Sequence, residues 1–346
     1  MTEALQKQLD DQRRKVDVDN FDVTVRELVR MAAEGELERA PDYQRKFRWS
    51  TEDESKLIES LLLGLPVPSL FVATNANGTW EMVDGLQRLS TIIHFIADPK
   101  VLLKTIDKQS ALQLEGLEKV PLLNGRTYSE LPTPIRLAIN KRSLRVTALS
   151  DKSDLKARFD LFERLNTGGV ALTPQEVRAC IYRGAFNDLL RELASETTFK
   201  KLVKLQQAKR DDGTREELVL KFFAYLNARE EFTGAVTGFL NGYMEEASGT
   251  FDLEAGRKLF VEVVNHIHSA TKGHFLRKGY GTTPLNQLEA VMVGVGELVR
   301  DGKQLSKPTA GWLNDPDLIK FSTKGTNTPQ MLSSRIARAR SLWSAK

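Results

Sequence analysis

The chain has 346 residues and a net charge of +4, and its charged content of 28% is ordinary for a globular protein. The single cysteine, Cys180, excludes an internal disulfide and any multi-cysteine zinc or iron–sulfur site within this chain. The polar N-terminal residues predict no signal peptide. No apolar run reaches the roughly 18 residues of a membrane span. We therefore expect a cytoplasmic protein of two or three domains.

The first fifty residues contain two polar stretches. Residues 1–20 are highly charged and nearly free of large apolar side chains, which predicts an N-terminal arm. Residues 41–49 combine three aromatic rings with three cations and an amide, without a helical period. This second stretch fits either a loop pinned by Tyr43 and Trp49 or a loop that offers Gln44 and Arg45 to a phosphate.

A helix and a hairpin follow. Thr51 and Glu54 have the spacing of a capping box, and Gly64 is a suitable helix end. A helix is therefore predicted from Thr51 to Gly64. Residues 69–74 and 79–83 are strand-like and flank an Asn-Gly turn, which predicts a β-hairpin. The second strand then delivers Asp84 to the start of the next apolar, helix-like run.

The turn after this hairpin concentrates polar groups. Asp84, Gly85, Gln87 and Arg88 lie within five residues at a strand-to-helix junction. The first N–H groups of a helix lack internal partners, so such a junction is suited to bind an anion. A buried Asp84–Arg88 ion pair that closes the helix explains the same residues equally well.

Several motifs in order resemble the N-terminal domain family of GmrSD-type restriction endonucleases. Its signature is Asp-Gly-Gln-Gln-Arg-Leu preceded by a Tyr-Gln-Arg-x-x-x-Trp segment, and here Leu86 replaces the first glutamine. The matching segments are Tyr43-Gln44-Arg45 with Trp49, Leu57 to Gly64 with Pro66 and Pro68, and Val83 to Thr91.

This resemblance implies a fold related to the ParB and sulfiredoxin superfamily, and a domain that binds and hydrolyses a nucleoside triphosphate in defence against foreign DNA. Asp84, Gln87 and Arg88 would then be catalytic. Arg88 and Gln87 would hold phosphate oxygens, since a guanidinium suits phosphate, and Asp84 would position Mg²⁺ or a water. Gln44 and Arg45 would face them across the cleft, with Gly85 in the turn.

The middle of the chain contains a further candidate segment. Residues 112–117 and 121–123 suggest a strand pair, residues 144–149 a strand, and residues 151–165 a helix. The residues after that helix resemble a segment of the same family, and the resemblance implies that they line the nucleotide cleft. A plain helix C-cap at the glycine is the alternative. The nucleotide-binding candidates in this segment are Asn166, Thr167 and Gly168.

From residue 175 onward the periodicity is helical almost throughout. The resemblance implies that residues 21–174 form a ParB/sulfiredoxin-like nucleotide-binding domain with a small mixed sheet, and with the helical second half we predict an α+β fold. Residues 175–346 are predicted to form an all-helical domain with a basic C-terminal tail. The histidines His266 and His268 do not share a helix face, so no metal pair is expected. No histidine lies in a context typical of a His-Asn-His nuclease.

Two basic stretches in this half predict contacts to nucleic acid. Residues 272–281 mix cations, aromatic rings and glycines, and residues 318–346 contain several cations and no acid. A solvated helix face with a basic tail is the alternative. The candidate residues are Lys272, Arg277, Lys278, Tyr280, Arg335 and Arg338.

Three functions remain open from the sequence. The first is a nucleotide-binding, NTP-hydrolysing DNA-sensing or regulatory subunit of an anti-phage restriction system, whose nuclease is supplied by a partner protein. The second is a stand-alone, metal-dependent DNA nuclease that uses Asp84, and the third is a non-catalytic DNA- or partner-binding module. The expected ligands are Mg²⁺ and one of ATP, GTP, CTP or UTP. A homo-oligomer is compatible with the sequence.

Overall fold

The structure is a computed structural model, and it describes residues 5–7, 9, 17–38, 49–75, 77–96, 106, 108–150, 173–209 and 212–345. The described residues form two compact units, one within Met1–Leu172 and the other within Thr173–Lys346. The first contains a five-stranded mixed sheet, and the second is built from helices. The predicted α+β class, with a small mixed sheet followed by a helical region, is confirmed. Among the described residues, no helix is long and apolar enough to cross a bilayer.

The sheet of the first unit has the strand order β1-β5-β3-β4-β2. Strand β5 pairs antiparallel with β1 and parallel with β3, while β3 and β4 form the predicted antiparallel hairpin. The strands are β1 (Val18–Thr24), β2 (Leu37–Glu38), β3 (Leu70–Thr74), β4 (Trp80–Asp84) and β5 (Ser143–Leu149). The helices are α1 (Val25–Glu34), α2 (Thr51–Leu63), α3 (Leu86–Ile96) and α4 (Thr133–Asn140).

The first strand shortens the predicted N-terminal arm. Strand β1 starts at Val18, and its pairing with β5 runs in register from Val18 opposite Leu149 to Thr24 opposite Ser143. The last three residues of the stretch 1–20 therefore belong to the sheet. Their polar side chains are compatible with a strand because residues 18–22 lie at the sheet's edge and are largely exposed.

The capping residue of helix α2 lies one position earlier than the sequence suggested. The N-cap is Ser50, whose hydroxyl accepts from the Asp53 N–H at 3.1 Å while the Asp53 carboxylate accepts from the Ser50 N–H at 3.4 Å. This reciprocal pair satisfies two N–H groups at the helix start. Glu54 is thereby released from a capping role, and it is fully buried. Helix α2 ends as predicted at Gly64, which adopts φ +74°.

The predicted strand pair at residues 112–117 and 121–123 is wrong. Residues 111–117 have no regular secondary structure, and Pro121–Leu123 is a short 3-10 helix. The segment is held instead by isolated bonds, in which the Leu114 N–H donates to Arg126 O and the Gly125 N–H donates to Leu114 O. Alternating leucines suggested a strand, but here Leu112, Leu114 and Leu117 pack into the core of the first unit.

The second unit begins with the helix start that the sequence predicted. Thr173 is the N-cap, Pro174 occupies the first turn and Glu176 completes the capping box. In the basic residues 199–209, the α-helix ends at Leu202 and Gln207–Lys209 forms a short 3-10 helix. The helices are α5 (Pro174–Ile181), α6 (Ala185–Ser195), α7 (Thr197–Leu202), α8 (Thr214–Asn227), α9 (Val236–Thr250), α10 (Leu253–Thr271), α11 (Leu285–Arg300), α12 (Pro316–Thr323) and α13 (Pro329–Trp343).

Candidate functional site

The junction between β4 and α3 depends on the backbone of one glycine. Asp84 is the last residue of β4 and Leu86 is the first of α3, so only Gly85 connects the two elements. Gly85 adopts φ +104°, which L side chains rarely adopt. An added Cβ there would lie 2.4 Å from Leu70 Cδ2 on the neighbouring strand. The turn therefore needs glycine both for its backbone conformation and for its close packing on β3.

Arg88 holds the carboxylate of Asp84. Its Nη2 donates to Asp84 Oδ2 at 2.7 Å, and its Nη1 donates to the carbonyl of Ser69 at 2.9 Å and also to that of Pro68. The Arg88 side chain is only 12% exposed, whereas that of Asp84 is 46% exposed. The ion pair that the sequence left as an alternative is thus present. It leaves the acid, not the arginine, as the more accessible group.

Gln87 connects this turn to the start of α2. Its side-chain oxygen Oε1 accepts a hydrogen bond from the Trp49 N–H at 3.3 Å, across 38 positions of sequence. Trp49 therefore lies beside the turn. Five nucleotide-binding candidates lie outside the described residues: Gln44, Arg45, Asn166, Thr167 and Gly168.

The chemistry available at the turn is that of a single oriented carboxylate. Asp84 offers an accessible oxygen ligand, and oxygen is the ligand type that Mg²⁺ prefers. No group of three or more His, Cys, Asp or Glu side chains in the described part of the chain could hold a metal ion by itself. Mg²⁺ commonly binds through one or two carboxylates together with substrate phosphates and water. Asp84 therefore fits a metal that arrives with a phosphate ligand.

A buried polar cluster lies behind α2 and α3, and the sequence did not predict it. Glu54 is fully buried, and its Oε2 is 2.5 Å from Nδ1 of His94, whose Nε2 is 3.0 Å from Ser110 O. Lys108 Nζ lies 3.5 Å from the other Glu54 oxygen. These contacts join helices α2 and α3 to the segment at 108–110. The available sequence signal was an acid on the apolar side of α2, four residues before Ile58.

The second unit contains the six predicted nucleic-acid contacts, which differ in accessibility. Lys272, Lys278 and Tyr280 are exposed. Arg277 is buried and bonds to Gln287 and Thr323. We correct the expectation of a surface contact for Arg277, because its guanidinium is used to brace its own loop.

The two candidates on the last helix also have internal partners. Arg335 is buried, donates to Thr326 O and lies 3.7 Å from a carboxylate oxygen of Glu289, so it too is corrected to a structural residue. Arg338 makes a bidentate pair with Asp315, with nitrogen–oxygen distances of 2.6 and 3.0 Å. Its charge is matched within the unit.

The second unit also contains a cavity of about 420 Å³. Three aromatic side chains line it, and Asn227 donates to the Tyr243 hydroxyl at 2.8 Å on its wall. Burial raises the pKa of Tyr243 to about 12, so this phenol stays protonated at neutral pH. None of the residues predicted from the sequence as functional lines this cavity.

Comparison with known proteins gives a family match mainly within the first half of the chain. Residues 25–183 match the family described as GmrSD restriction endonuclease, N-terminal domain, which confirms the resemblance drawn from the motifs. A search of the curated proteins found no significant match. Among solved structures, a Pnob8-like ParB-N domain is similar at 12% identity over 93% of this chain and 96% of that chain. The TM-score of that match is 0.25.

Proposed function

We propose that this chain, whose residues 25–183 belong to the GmrSD N-terminal domain family, is a nucleotide-dependent DNA-sensing or regulatory subunit of a restriction system against phage. Its first unit would bind and hydrolyse a nucleoside triphosphate, and a partner protein would supply the nuclease. The family description names a restriction endonuclease, which supports a role directed at DNA. The cytoplasm, where foreign DNA arrives, is the expected location.

The observation that carries this proposal is the accessible, oriented carboxylate of Asp84. Arg88 fixes its direction, and the adjoining first N–H groups of α3 form the kind of positive helix end that suits phosphate oxygens. Three of the five N–H donors of Arg88 are engaged with described residues, which leaves two for a phosphate. Arg88 can therefore orient Asp84 and contact a nucleotide at once.

Gln87 has a related part in the proposal. Its Oε1 is bonded to the backbone of Trp49, so the amide is held in a fixed position beside Asp84. Its NH₂ group is a donor that suits a phosphate oxygen. Asp84 would hold Mg²⁺, which supplies positive charge to the phosphates and neutralises charge that develops during phosphoryl transfer. The protein's contribution is then to position and orient these groups.

A second function is favoured by one observation. The engagement of Arg88 with Asp84 and two backbone carbonyls is what a purely structural ion pair provides. If that is its whole role, the first unit is a non-catalytic module that binds DNA or a partner protein. The two functions differ in whether nucleotide turnover depends on Asp84.

The test compares Asp84→Asn with a matched control in the same unit. Asp22 forms a comparable exposed pair with Arg145, at 2.9 and 3.1 Å, on strand β1. Phosphate release from ATP, GTP, CTP and UTP is measured with Mg²⁺, with and without DNA, for the wild type, Asp84→Asn and Asp22→Asn. We expect turnover of at least one nucleotide, lost in Asp84→Asn and retained in Asp22→Asn.

Other outcomes separate the alternatives. If none of the four nucleotides is bound or hydrolysed, the proposal is wrong. Nucleotide binding without turnover, unchanged in Asp84→Asn, supports the non-catalytic module instead. Nicking of plasmid DNA that needs Mg²⁺ and no nucleotide, and that is lost in Asp84→Asn, identifies a stand-alone nuclease.

A further inference from the structure

We propose that the second unit binds single-stranded DNA on a surface formed by Lys201, Lys204, Lys272, Lys278 and Tyr280, which we call the basic loop surface. All five side chains are exposed. The inference rests on the proposed function only in expecting DNA as the partner. It assigns that partner to residues outside the span that the family match covers.

The surface is assembled from segments that are far apart in sequence. The Phe275 N–H donates to Leu202 O at 2.8 Å, and the Lys204 N–H donates to the Thr283 hydroxyl at 2.9 Å. These bonds place the end of α7 beside the loop that follows α10. Residues 197–209 and 269–283 contain six lysines and one arginine and no acid, so joining them concentrates positive charge.

The lysines of this surface have charges that are not matched locally. None of the four forms an ion pair with another residue that the structure describes. Arg30, Arg145 and Arg257, by contrast, each pair with a carboxylate. Unpaired cations that share one surface favour a polyanion, and they release its counterions when it binds.

The loop that carries Lys272, Lys278 and Tyr280 is anchored to the second unit by several internal contacts. Phe275 is fully buried and packs edge-to-face on Trp312, with ring centroids 5.6 Å apart. Arg277 is buried against α11 and α12, and the Lys278 N–H donates to Asn314 Oδ1 at 3.0 Å. A loop with this many internal anchors presents its outward side chains at fixed positions, which reduces the entropy lost on binding.

The exposed ring of Tyr280 favours single-stranded DNA over a duplex as the ligand. Its side chain is 52% exposed, and the Arg277 guanidinium lies 5.5 Å from the ring centroid and supports the ring. An exposed, supported aromatic ring on a basic loop is a stacking platform for an unpaired base. The bases of a duplex are stacked on one another and are not available to it. The arrangement therefore favours a strand with accessible bases.

The experiment measures binding of the full chain to a labelled single strand of about 16 nucleotides and to the matching duplex, by fluorescence anisotropy. The variants are Lys272→Ala/Lys278→Ala, Tyr280→Ala and Tyr280→Phe. The control is Lys258→Ala/Lys303→Ala, which removes two exposed lysines outside the basic loop surface. Nucleotide turnover without DNA is measured on the same preparations.

We expect the single strand to bind more tightly than the duplex. Tyr280→Ala should weaken it about tenfold while Tyr280→Phe retains binding, because stacking needs only the ring. Lys272→Ala/Lys278→Ala should reduce the slope of log K against log salt by about 1 to 2. The control variant should bind as the wild type does.

Equal binding by the wild type and the double lysine variant would overturn the inference. The inference would also be wrong if duplex and single strand bound with equal affinity and Tyr280→Ala had no effect. Competition by polyglutamate as strong as that by DNA would likewise contradict it. Failure of the proposed function is distinct from this, because it shows as absent nucleotide turnover with intact DNA binding. Persisting turnover with no DNA binding contradicts the basic loop surface alone.

Discussion

At Gly85 the backbone adopts φ +104°, and an added Cβ would lie 2.4 Å from Leu70 Cδ2. Gly78, in the turn of the β3–β4 hairpin, also has positive φ, at +82°, but an added Cβ there meets nothing within 4 Å. The two glycines lie in the same unit and share the backbone requirement, and only Gly85 has the steric one. Comparing them separates backbone strain from close packing at the candidate site.

We predict that Gly85→Ala lowers the free energy of unfolding by about 2 to 4 kcal/mol, as the sum of strain at positive φ and a forced shift of packed atoms. Gly78→Ala should cost about 1 kcal/mol, from the backbone alone. Urea denaturation of both variants measures the difference. Equal losses would mean that the Leu70 contact relaxes without cost.

The sequence offered Asp84 and Arg88 as an ion pair, but it did not predict the contact between Gly85 and Leu70. The closeness of Leu70 depends on the register of β3 against β4, which shifts between Phe71 and Val72. A register shift of this kind arises from the whole sheet and has no local signature.

At the scale of helices, Glu54 links α2 to α3 through His94. We predict that Glu54→Ala destabilises the protein by about 3 to 5 kcal/mol, because it leaves His94 and Lys108 without their buried carboxylate. Glu52 lies two residues earlier on the exposed side of α2 and pairs with Lys56, both side chains being 59% exposed. Glu52→Ala should therefore change the stability by less than about 1 kcal/mol. Urea denaturation again gives both values, and similar losses in the two variants would contradict the linking role of Glu54.

The helices of the second unit are joined by a line of buried charges. Arg178 on α5 donates to Glu217 on α8 at 2.6 Å, and Lys221 lies 3.1 Å from both Glu217 and Glu289, the latter on α11. Burial acts to raise the pKa of Glu217, but the charges of Lys221 and Arg178 outweigh it, so that pKa is lowered overall. Helix α8 supplies both Glu217 and Lys221, and their further partners Arg178 and Glu289 come from α5 and α11.

This lowered pKa predicts how stability depends on pH. The unfolded chain binds a proton at Glu217 more readily than the folded chain does, so the folded state is favoured above the ordinary glutamate pKa of about 4.3. That contribution is lost as the pH falls from about 5 through the lowered pKa. Glu217→Gln should therefore be less stable than the wild type at pH 7 and show a smaller further loss between about pH 5 and 3. Denaturation at a series of pH values tests this, and parallel profiles for the two proteins would contradict it.

Helices were predicted well where the periodicity is long and the caps are specific. Thr173 with Glu176 and Thr328 with Pro329 mark helix starts that the structure reproduces. The burial of Arg277 and Arg335 could not be predicted, because an arginine in a basic stretch looks the same whether it faces solvent or a buried partner. Their partners Gln287 and Glu289 lie on another helix, and only tertiary packing brings them together.

At the scale of the whole molecule, the chain has two compact units with a core in each. The four tryptophans divide evenly between them, with Trp49 and Trp80 in the first unit and Trp312 and Trp343 in the second. Tryptophan fluorescence can therefore report on one unit at a time, if the two tryptophans of the other unit are replaced by phenylalanine. These two tryptophan variants test whether a change in the free energy of unfolding, measured on the full chain, arises in one unit or in both.

We predict that Gly85→Ala shifts the urea midpoint reported by Trp49 and Trp80 and leaves that reported by Trp312 and Trp343 unchanged. Glu217→Gln should do the reverse, because its partners all lie within the second unit. Each substitution acts on contacts internal to one core, so its free-energy cost should remain there. Equal shifts of both midpoints by either substitution would show that the two units unfold as one cooperative body. In that case a substitution at the Asp84 turn would also lower the stability of the unit that carries the basic loop surface.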